Sequence, residues 1–505
     1  MPFAFENFAT VAIATSAAVI LGWGFYRARP YGKLGVLAWL QSVVLMLPWL
    51  VFFLLFAFGI YLSLAGVLLV LALSTGLYIV LGNRLRTLAK ELPPPTPPTT
   101  PPAIADPTAK HGAEDPARSP LPPMPQGQPD FPELHPMPAD DLKAIQGIFG
   151  IDTYFVTETT PFQDGAIFKG NLRGADPVTV HTTLSQKLAE RLGDRYRLFM
   201  IENAEKRPTI VVLPSSNDPK PLSIGQTILV GFLAIATGAT CFAASGLLLG
   251  FDLFQSPDRF AETLPIGLGL LAVLGTHELA HQIVARREKV KLSLPFFLPV
   301  LQIGSFGSFN RFLSLLPNRQ TLCDIALAGP IAGGILSLLF LLVGLELSHP
   351  GSPFQIPAEF FQGSILVGTL AKLVLGAELT NTTVDIDPLV VVGWLGLVIN
   401  AINLLPAGQL DGGRIVQAIY GRTVARRTTI GTLVLLALAS LTTPLALYWA
   451  IAIVFLQRDL ERPALEELSE PDDARAALGL LVLFLMVATL LPLTPSLAGR
   501  LGIGG

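Results

Sequence analysis

Residues 273–285 read VLGTHELAHQIVA, placing two histidines and a glutamate inside an otherwise apolar run. Burying ionisable groups among apolar neighbours is costly unless a partner or an ion compensates. On a helix, residues four apart share a face, so His277 and His281 can turn two imidazole nitrogens onto a single ion. Glu278 then stands beside that ion as a base. A metal that performs hydrolysis needs three protein ligands and an open fourth position, so the pattern predicts one more ligand elsewhere.

The other four histidines, His111, His135, His181 and His349, lie outside the apolar stretches and read as surface or linker residues. A third ligand at bilayer depth must be a residue that is otherwise expensive there, and Asp411 is the best candidate. It occurs in NLLPAGQLDGGR, from Asn403 to Arg414, where Pro406, Gly408, Gly412 and Gly413 interrupt an apolar helix. Irregular backbone at that depth is tolerated only where it faces protein or a water-filled cavity. The plainer alternatives are a turn that merely caps a span and histidines satisfied within a core. Three ionisable groups in one five-residue pattern favour the metal.

The elements that must position these residues are membrane helices. Of 505 residues, 51% are hydrophobic and only 14% charged, with a mean hydropathy of +0.57. That composition indicates an integral membrane protein in contact with a lipid bilayer. A formal net charge of -3 offers no basic surplus for nucleic acid. Cys241 and Cys323 sit in separate apolar segments as small buried hydrophobes, so no disulfide framework is expected. The N-terminus lacks a basic n-region and runs into an apolar stretch, so the first helix is expected to remain in place.

Apolar stretches at 8–26, 35–59 and 61–82 predict three spans, making residues 1–90 an N-terminal membrane block. Basic residues after the first and third spans place residue 90 in the cytoplasm. Residues 91–138, containing PPPTPPTTPP, form a proline-rich tether with no core of its own. Residues 139–215 read as a small soluble α+β domain: DTYFVTET, GAIFKGNL, YRLFMIE and PTIVVLP as strands, with a helix in HTTLSQKLAERLG. Residues 216–505 hold candidate spans at 223–249, 264–285, 322–345, 388–406, 428–457 and 475–493, the fifth interrupted at Pro444. The segment RREKVK places the cytoplasmic end of the histidine helix. The expected fold is thus mainly α: a polytopic helical membrane bundle with a small cytoplasmic α+β domain inserted between two membrane blocks.

HELAH followed about 130 residues later by N-x-x-P-x-x-x-L-D-G resembles the site-2 protease family of intramembrane metalloproteases. The resemblance covers roughly residues 223–460. It implies that His277, His281 and Asp411 bind zinc and that Glu278 activates water. GNLRG at 170–174 is similar to a motif of the plastid and cyanobacterial branch, the ethylene-dependent gravitropism-deficient and yellow-green type. Its plain alternative is a strand-to-turn connection with Arg173 on a solvated face. The start of the chain bears no Ser- and Arg-rich transit peptide, so a cyanobacterial plasma or thylakoid membrane is expected, with the active site toward the cytoplasm.

Asn403 is placed either to bind substrate backbone or developing charge, or to hydrogen-bond a neighbouring helix. SFGSFNRF, Ser305–Phe312, is too short for a span. It reads either as a membrane-embedded strand whose edge pairs with an unwound substrate or as a re-entrant loop packed on the zinc helix. Asp324 is expected to cap a helix, and Gly329, Gly333 and Gly334 to allow close helix packing. The function this predicts is zinc-dependent endoproteolysis of single-pass membrane proteins. The rivals are a metal-ion channel or transporter, and a non-catalytic membrane scaffold. Glu278 separates them, because a permeation or structural site has no need of an adjacent base.

Overall fold

The computed structural model describes residues 22, 24–26, 28–57, 64–90, 137–162, 164–173, 176–203, 205–457 and 459–503. The expected span at 8–26 lies almost wholly outside the described residues, as do His111, His135, Gly174 and the proline-rich stretch as far as residue 136. The chain divides into two compact units, Asn7–Leu134 and a larger one containing His135–Gly505. In the smaller unit, α1 (Gly32–Ala57) packs against α2 (Leu64–Lys90), close to the spans expected at 35–59 and 61–82.

The larger unit opens with a short helix α3 (Ala139–Gln146) and an α+β module of β1 (Tyr154–Phe162), β2 (Gly165–Leu172), α4 (Pro177–Leu192), β3 (Tyr196–Glu202) and β4 (Pro208–Pro214). The strands form one antiparallel sheet in the order β1-β2-β4-β3. Helix α4 starts four residues earlier than HTTLSQKLAERLG suggests, because Asp176 accepts from the Thr179 amide and Pro177 fits the first helical turn. Its buried stripe, Val180, Leu184, Leu188 and Leu192, repeats every four residues and closes over Phe168, Leu198, Met200, Ile210 and Val212 on one face of the sheet.

The rest of the unit runs α5 (Ile224–Leu248), α6 (Phe260–Arg287), β5 (Phe296–Val300), β6 (Gly304–Phe309), α7 (Arg319–Leu347), β7 (Phe354–Pro357), α8 (Ile365–Leu375), β8 (Thr383–Ile386), α9 (Pro388–Asn403), α10 (Asp411–Ala439), α11 (Pro444–Ala452), α12 (Asp473–Leu490) and α13 (Pro495–Leu501). The described residues are mostly helical. Among the described residues, four helices are long and apolar enough to cross a membrane: α5, α6 with its preceding turn from Pro257, α7, and α12. Helix α9 has 16 residues. At 1.5 Å per residue it reaches about 24 Å, short of the ~30 Å hydrocarbon layer.

Several elements differ from expectation. The stretch 428–457 is not among them, being interrupted at Pro444 as expected: α10 ends at Ala439, and α11 begins at Pro444, whose fixed φ suits a first turn. Residues 411–427, expected to be loop, form the first part of α10, which bends at Gly421 with φ 79° and ψ 175°. The β7–β8 hairpin and α8 lie where no element was expected. Asp324 does not cap α7. Asn318 does, accepting from the Thr321 amide, while Asp324 lies further along α7 and pairs with Arg475 of α12 at 2.6 and 3.0 Å.

Close helix packing centres on α7. A Cβ on Gly393 or Gly344 would strike the backbone of the facing helix, at Leu341 and Val390 respectively. A Cβ on Gly396 would meet Ser337, so small residues on both helices let α7 and α9 approach closely. Gly334, grouped with Gly329 and Gly333 from sequence, faces open space instead.

The α+β module is tied to this helical block by a short extended segment. Its Leu465 carbonyl accepts from Met200 of β3 at 2.7 Å, and its Glu467 amide donates back to Met200 at 2.9 Å. The same segment donates from Leu465 to the Leu316 carbonyl and from Glu466 to the Pro317 carbonyl.

Candidate metal centre

Helix α6 carries His277 and His281 on one face, and both are almost fully buried, as are Glu278 and Asp411. The Nδ1 of His277 lies 2.8 Å from Asn400 Oδ1, and that of His281 lies 2.7 Å from the Ile325 carbonyl. Both partners are acceptors, so each Nδ1 carries the proton and each Nε2 presents a lone pair. Asn400 is itself oriented by donating from Nδ2 to the Gly396 carbonyl at 2.8 Å.

The two Nε2 atoms are 3.1 Å apart. Asp411 at the start of α10 brings Oδ2 to 3.2 Å from one and 3.4 Å from the other. Two lone pairs and a carboxylate oxygen aimed at one another repel unless a cation sits among them. Ligands about 2.0–2.1 Å from a tetrahedral zinc stand roughly 3.3 Å apart, and this triangle has that size. The donor set therefore suits zinc.

Local sequence explains how Asp411 arrives there. Its helix starts immediately after a tight turn: a Cβ on Gly412 would strike the Leu404 carbonyl, and one on Gly413 the Gly408 carbonyl. Only glycine allows so close an approach. Likewise, a Cβ on Gly329 would run into His281 Nε2, and one on Gly333 would crowd Asn400 and His277. The small residues of α7 thus make room for the imidazoles.

Glu278 is a further acidic group within 4.8 Å of the histidine nitrogens. Its position differs from that of Asp411, because Oε1 stays 4.0 Å from His277 Nε2 and both its oxygens accept hydrogen bonds. Ser308 donates to Oε1, and Asn310 Nδ2 donates to Oε2 at 2.7 Å. The carboxylate is held beside the triangle rather than within it.

Both donors to Glu278 lie at the end of the β5–β6 hairpin, in SFGSFNRF, which forms strand β6 rather than an irregular loop. Asn403 anchors that strand, its Nδ2 donating to Phe306 at 3.0 Å and to Ile399 at 2.8 Å. It abuts Gly307, where φ is 98° and a side chain would collide with the Asn403 amide. Asn403 also lines, with His277 and Asn400, a small cavity beside the triangle.

Sequence reasoning missed Asn400, Ser308, Asn310 and the Ile325 carbonyl. A signal existed for Asn400, since NAIN at 400–403 puts two polar side chains into an apolar helix. The GNLRG stretch is less informative. Arg173 is exposed over the Phe155 ring at 5.7 Å, and its amide bonds the Thr153 carbonyl.

A buried histidine pair on one helix, an aspartate at the start of another and an adjoining glutamate define a metallopeptidase site of the site-2 protease type. Residues 266–442, which span all four, match the description "Peptidase family M50", and residues 143–220 match "EGY3 middle domain". The chain is 39% identical over 364 residues to "Probable zinc metalloprotease EGY2, chloroplastic" of Arabidopsis thaliana, covering 70% of this chain and 65% of that one. It is 38% identical over 407 residues to "Probable zinc metalloprotease EGY1, chloroplastic" of the same species, covering 72% and 73%. The chain belongs to the EGY branch of the M50 zinc metalloproteases. It spans about two thirds of the length of these relatives. No solved structure matches it.

Proposed function

We propose that this chain is a zinc-dependent endopeptidase that cuts single-pass membrane proteins within their membrane segments, with His277, His281 and Asp411 holding the metal and Glu278 serving as general base. The observation that carries this reading is the convergence of both Nε2 atoms and Asp411 Oδ2 within 3.1–3.4 Å of one another. When bound, zinc supplies Lewis acidity, which polarises the scissile carbonyl and makes water acidic enough to react near neutral pH.

The residues of the chain do the rest. Asn400 and the Ile325 carbonyl hold the imidazole rings in the tautomer that leaves Nε2 free. Ser308 and Asn310 hold Glu278 aimed at the triangle. Glu278 takes a proton from the attacking water as the C–O bond forms. It passes that proton to the amine as the C–N bond breaks. Burial of the four groups excludes bulk water from the site.

Strand β6 deepens the reading. A helical substrate hides its amides, so cutting it requires local unwinding, and β6 offers the freed backbone an edge to pair with. Asn403, fixed against β6, serves there in binding the substrate backbone. The four long apolar helices form a polytopic membrane bundle, and the α+β module is inserted between two membrane blocks on the cytoplasmic side. The relatives are named as chloroplastic; a cyanobacterial plasma or thylakoid membrane is the setting proposed for this chain.

The test is reconstitution of the full chain in lipid vesicles with a model single-pass substrate. Glu278→Gln should retain zinc and lose cleavage. Cleavage equal to wild type in that variant would remove the proposal.

A further inference from the structure

The sheet of the α+β module is apolar on both faces, yet α4 covers only one. The second face carries Ile167, Phe199, Ile201, Val211 and Leu213, which are half-buried or buried although α4 lies on the opposite face. They form one wall of a cleft of about 840 Å³, whose other side is the helical block at Arg311, Leu315 and Arg462. That volume lies within the range of built ligand sites. A sheet left with a second apolar face normally finds something to cover it.

The cleft has a direction. It shares Lys220, Arg311, Leu315 and Arg462 with a narrower cavity of about 120 Å³ that continues to Phe312, Gln409 and Glu461. Phe312 lies under the Arg414 guanidinium, 4.8 Å from its ring centre. Arg414 donates to the Asn310 carbonyl at 2.6 Å, and Asn310 donates to Glu278 at 2.7 Å. The groove therefore leads from the sheet face to Phe312 and Glu461, the two side chains that hold Arg414, which in turn bonds the Asn310 that donates to Glu278.

Its polar lining is cationic. Lys220, Arg311 and Arg462 face it, and Arg462 bonds only the Asn217 carbonyl among the described residues. The carboxylates nearby are already engaged: Asp218 pairs with Arg197 at 3.0 Å, and Glu461 with Arg414 at 2.9 Å. An extended peptide alternates its side chains between two sides. One that alternates apolar and acidic residues would set the first against the sheet and the second against the three cations.

We infer that this groove receives the extended, acidic and apolar segment flanking the membrane span of the substrate, docking it on the sheet face so that the adjoining span reaches Glu278. The inference rests on the proposed protease reading and adds a recognition element to it. A purely lipid occupant fits less well, since headgroups would meet the cations but leave the ordered apolar wall and the inward path without purpose.

The experiment uses the full chain in phosphatidylcholine vesicles with two model single-pass substrates whose flanking segments alternate Leu with Glu or Leu with Lys. Charge reversal by Lys220→Glu, Arg311→Glu and Arg462→Glu together should raise KM for the Glu substrate about tenfold and lower it for the Lys substrate. The recovered activity on the Lys substrate shows that the variant folds. A benzophenone side chain replacing Ile201, in a Glu278→Gln background, should crosslink the Glu substrate before any cleavage. Crosslinking without cleavage by the wild type would support docking while refuting the protease. Cleavage with neither crosslink nor charge swap would overturn docking and leave the protease standing. An effect that follows added phosphatidylglycerol instead of the flanking charge would also overturn it, in favour of the lipid surface.

Discussion

Asn310 holds Glu278 from one side and is held by Arg414 from the other: its Nδ2 donates to Glu278 at 2.7 Å, and its carbonyl accepts from Arg414 at 2.6 Å. The base is thus positioned by a loop that is itself clamped. Asn310→Ala should lower kcat about 10–100-fold, the loss typical of a hydrogen bond to a charged group in a site of this kind. Zinc content should be unchanged, because Asn310 touches neither imidazole. Parallel assays of cleavage and bound zinc check this, and loss of both together would contradict it.

Asn400 acts on the other component. It fixes the ring of His277, so Asn400→Leu should weaken zinc binding about 10–100-fold. The readout is zinc affinity by competition with a chelator. Gly329→Ala should produce a similar loss for a steric reason, since its methyl group would meet His281. Phenanthroline should abolish cleavage by wild type, and added zinc should restore it.

How far the sequence carried these conclusions depended on how local each signal was. His277, Glu278 and His281 share one helical turn and a half, so spacing alone set their face. Asp411 was legible because Gly412 and Gly413 announce a tight turn in an apolar stretch. Ser308 and Asn310 lay inside a stretch already singled out, but their partner is 30 or more residues away, and a hairpin register cannot be read from spacing. Asp324 misled for the same reason: its partner Arg475 is 151 positions distant, whereas Asn318 satisfies the helix end locally. The β7–β8 hairpin escaped notice because its strands have four residues each and lie 25 residues apart across an intervening helix.

The α+β module carries a pH dependence of its own. Burial holds the His181 imidazole below its ordinary value, partly offset by the Leu198 carbonyl 3.2 Å from Nε2 and by the charge of Glu466. The folded state thus prefers neutral His181, and the unfolded chain binds its proton first. Stability is fully present above the unfolded value near 6.5 and falls as pH drops below it toward the folded value. Hydrogen exchange in α4 and β3 of the full chain, corrected for intrinsic rates, should show protection falling between pH 7.5 and 5. In His181→Asn that fall should shrink. An equal fall in both proteins would assign the effect to another group.

The buried pair of Arg414 and Glu461 gives a sharper test of what a charge inside this fold does. Arg414 Nη2 lies 2.9 Å from Glu461 Oε2, and both side chains are almost entirely enclosed. Their mutual attraction is largely cancelled by the cost of taking both from water, so the intact pair adds little net stability. Removing one partner is different, because it leaves the other charged and unpaired. Arg414→Met should destabilise the full chain by about 3–5 kcal/mol, and Glu461→Leu by a similar amount. The double substitution should recover much of that loss, since it removes both desolvation penalties at once. Activity should not recover with it, because the Asn310 carbonyl has lost its clamp. Thermal unfolding of the four proteins gives the coupling, and cleavage rates give the second readout. Stability and activity that recover together would show that Arg414 matters only as half of an ion pair and that the hold on Asn310 does nothing for Glu278.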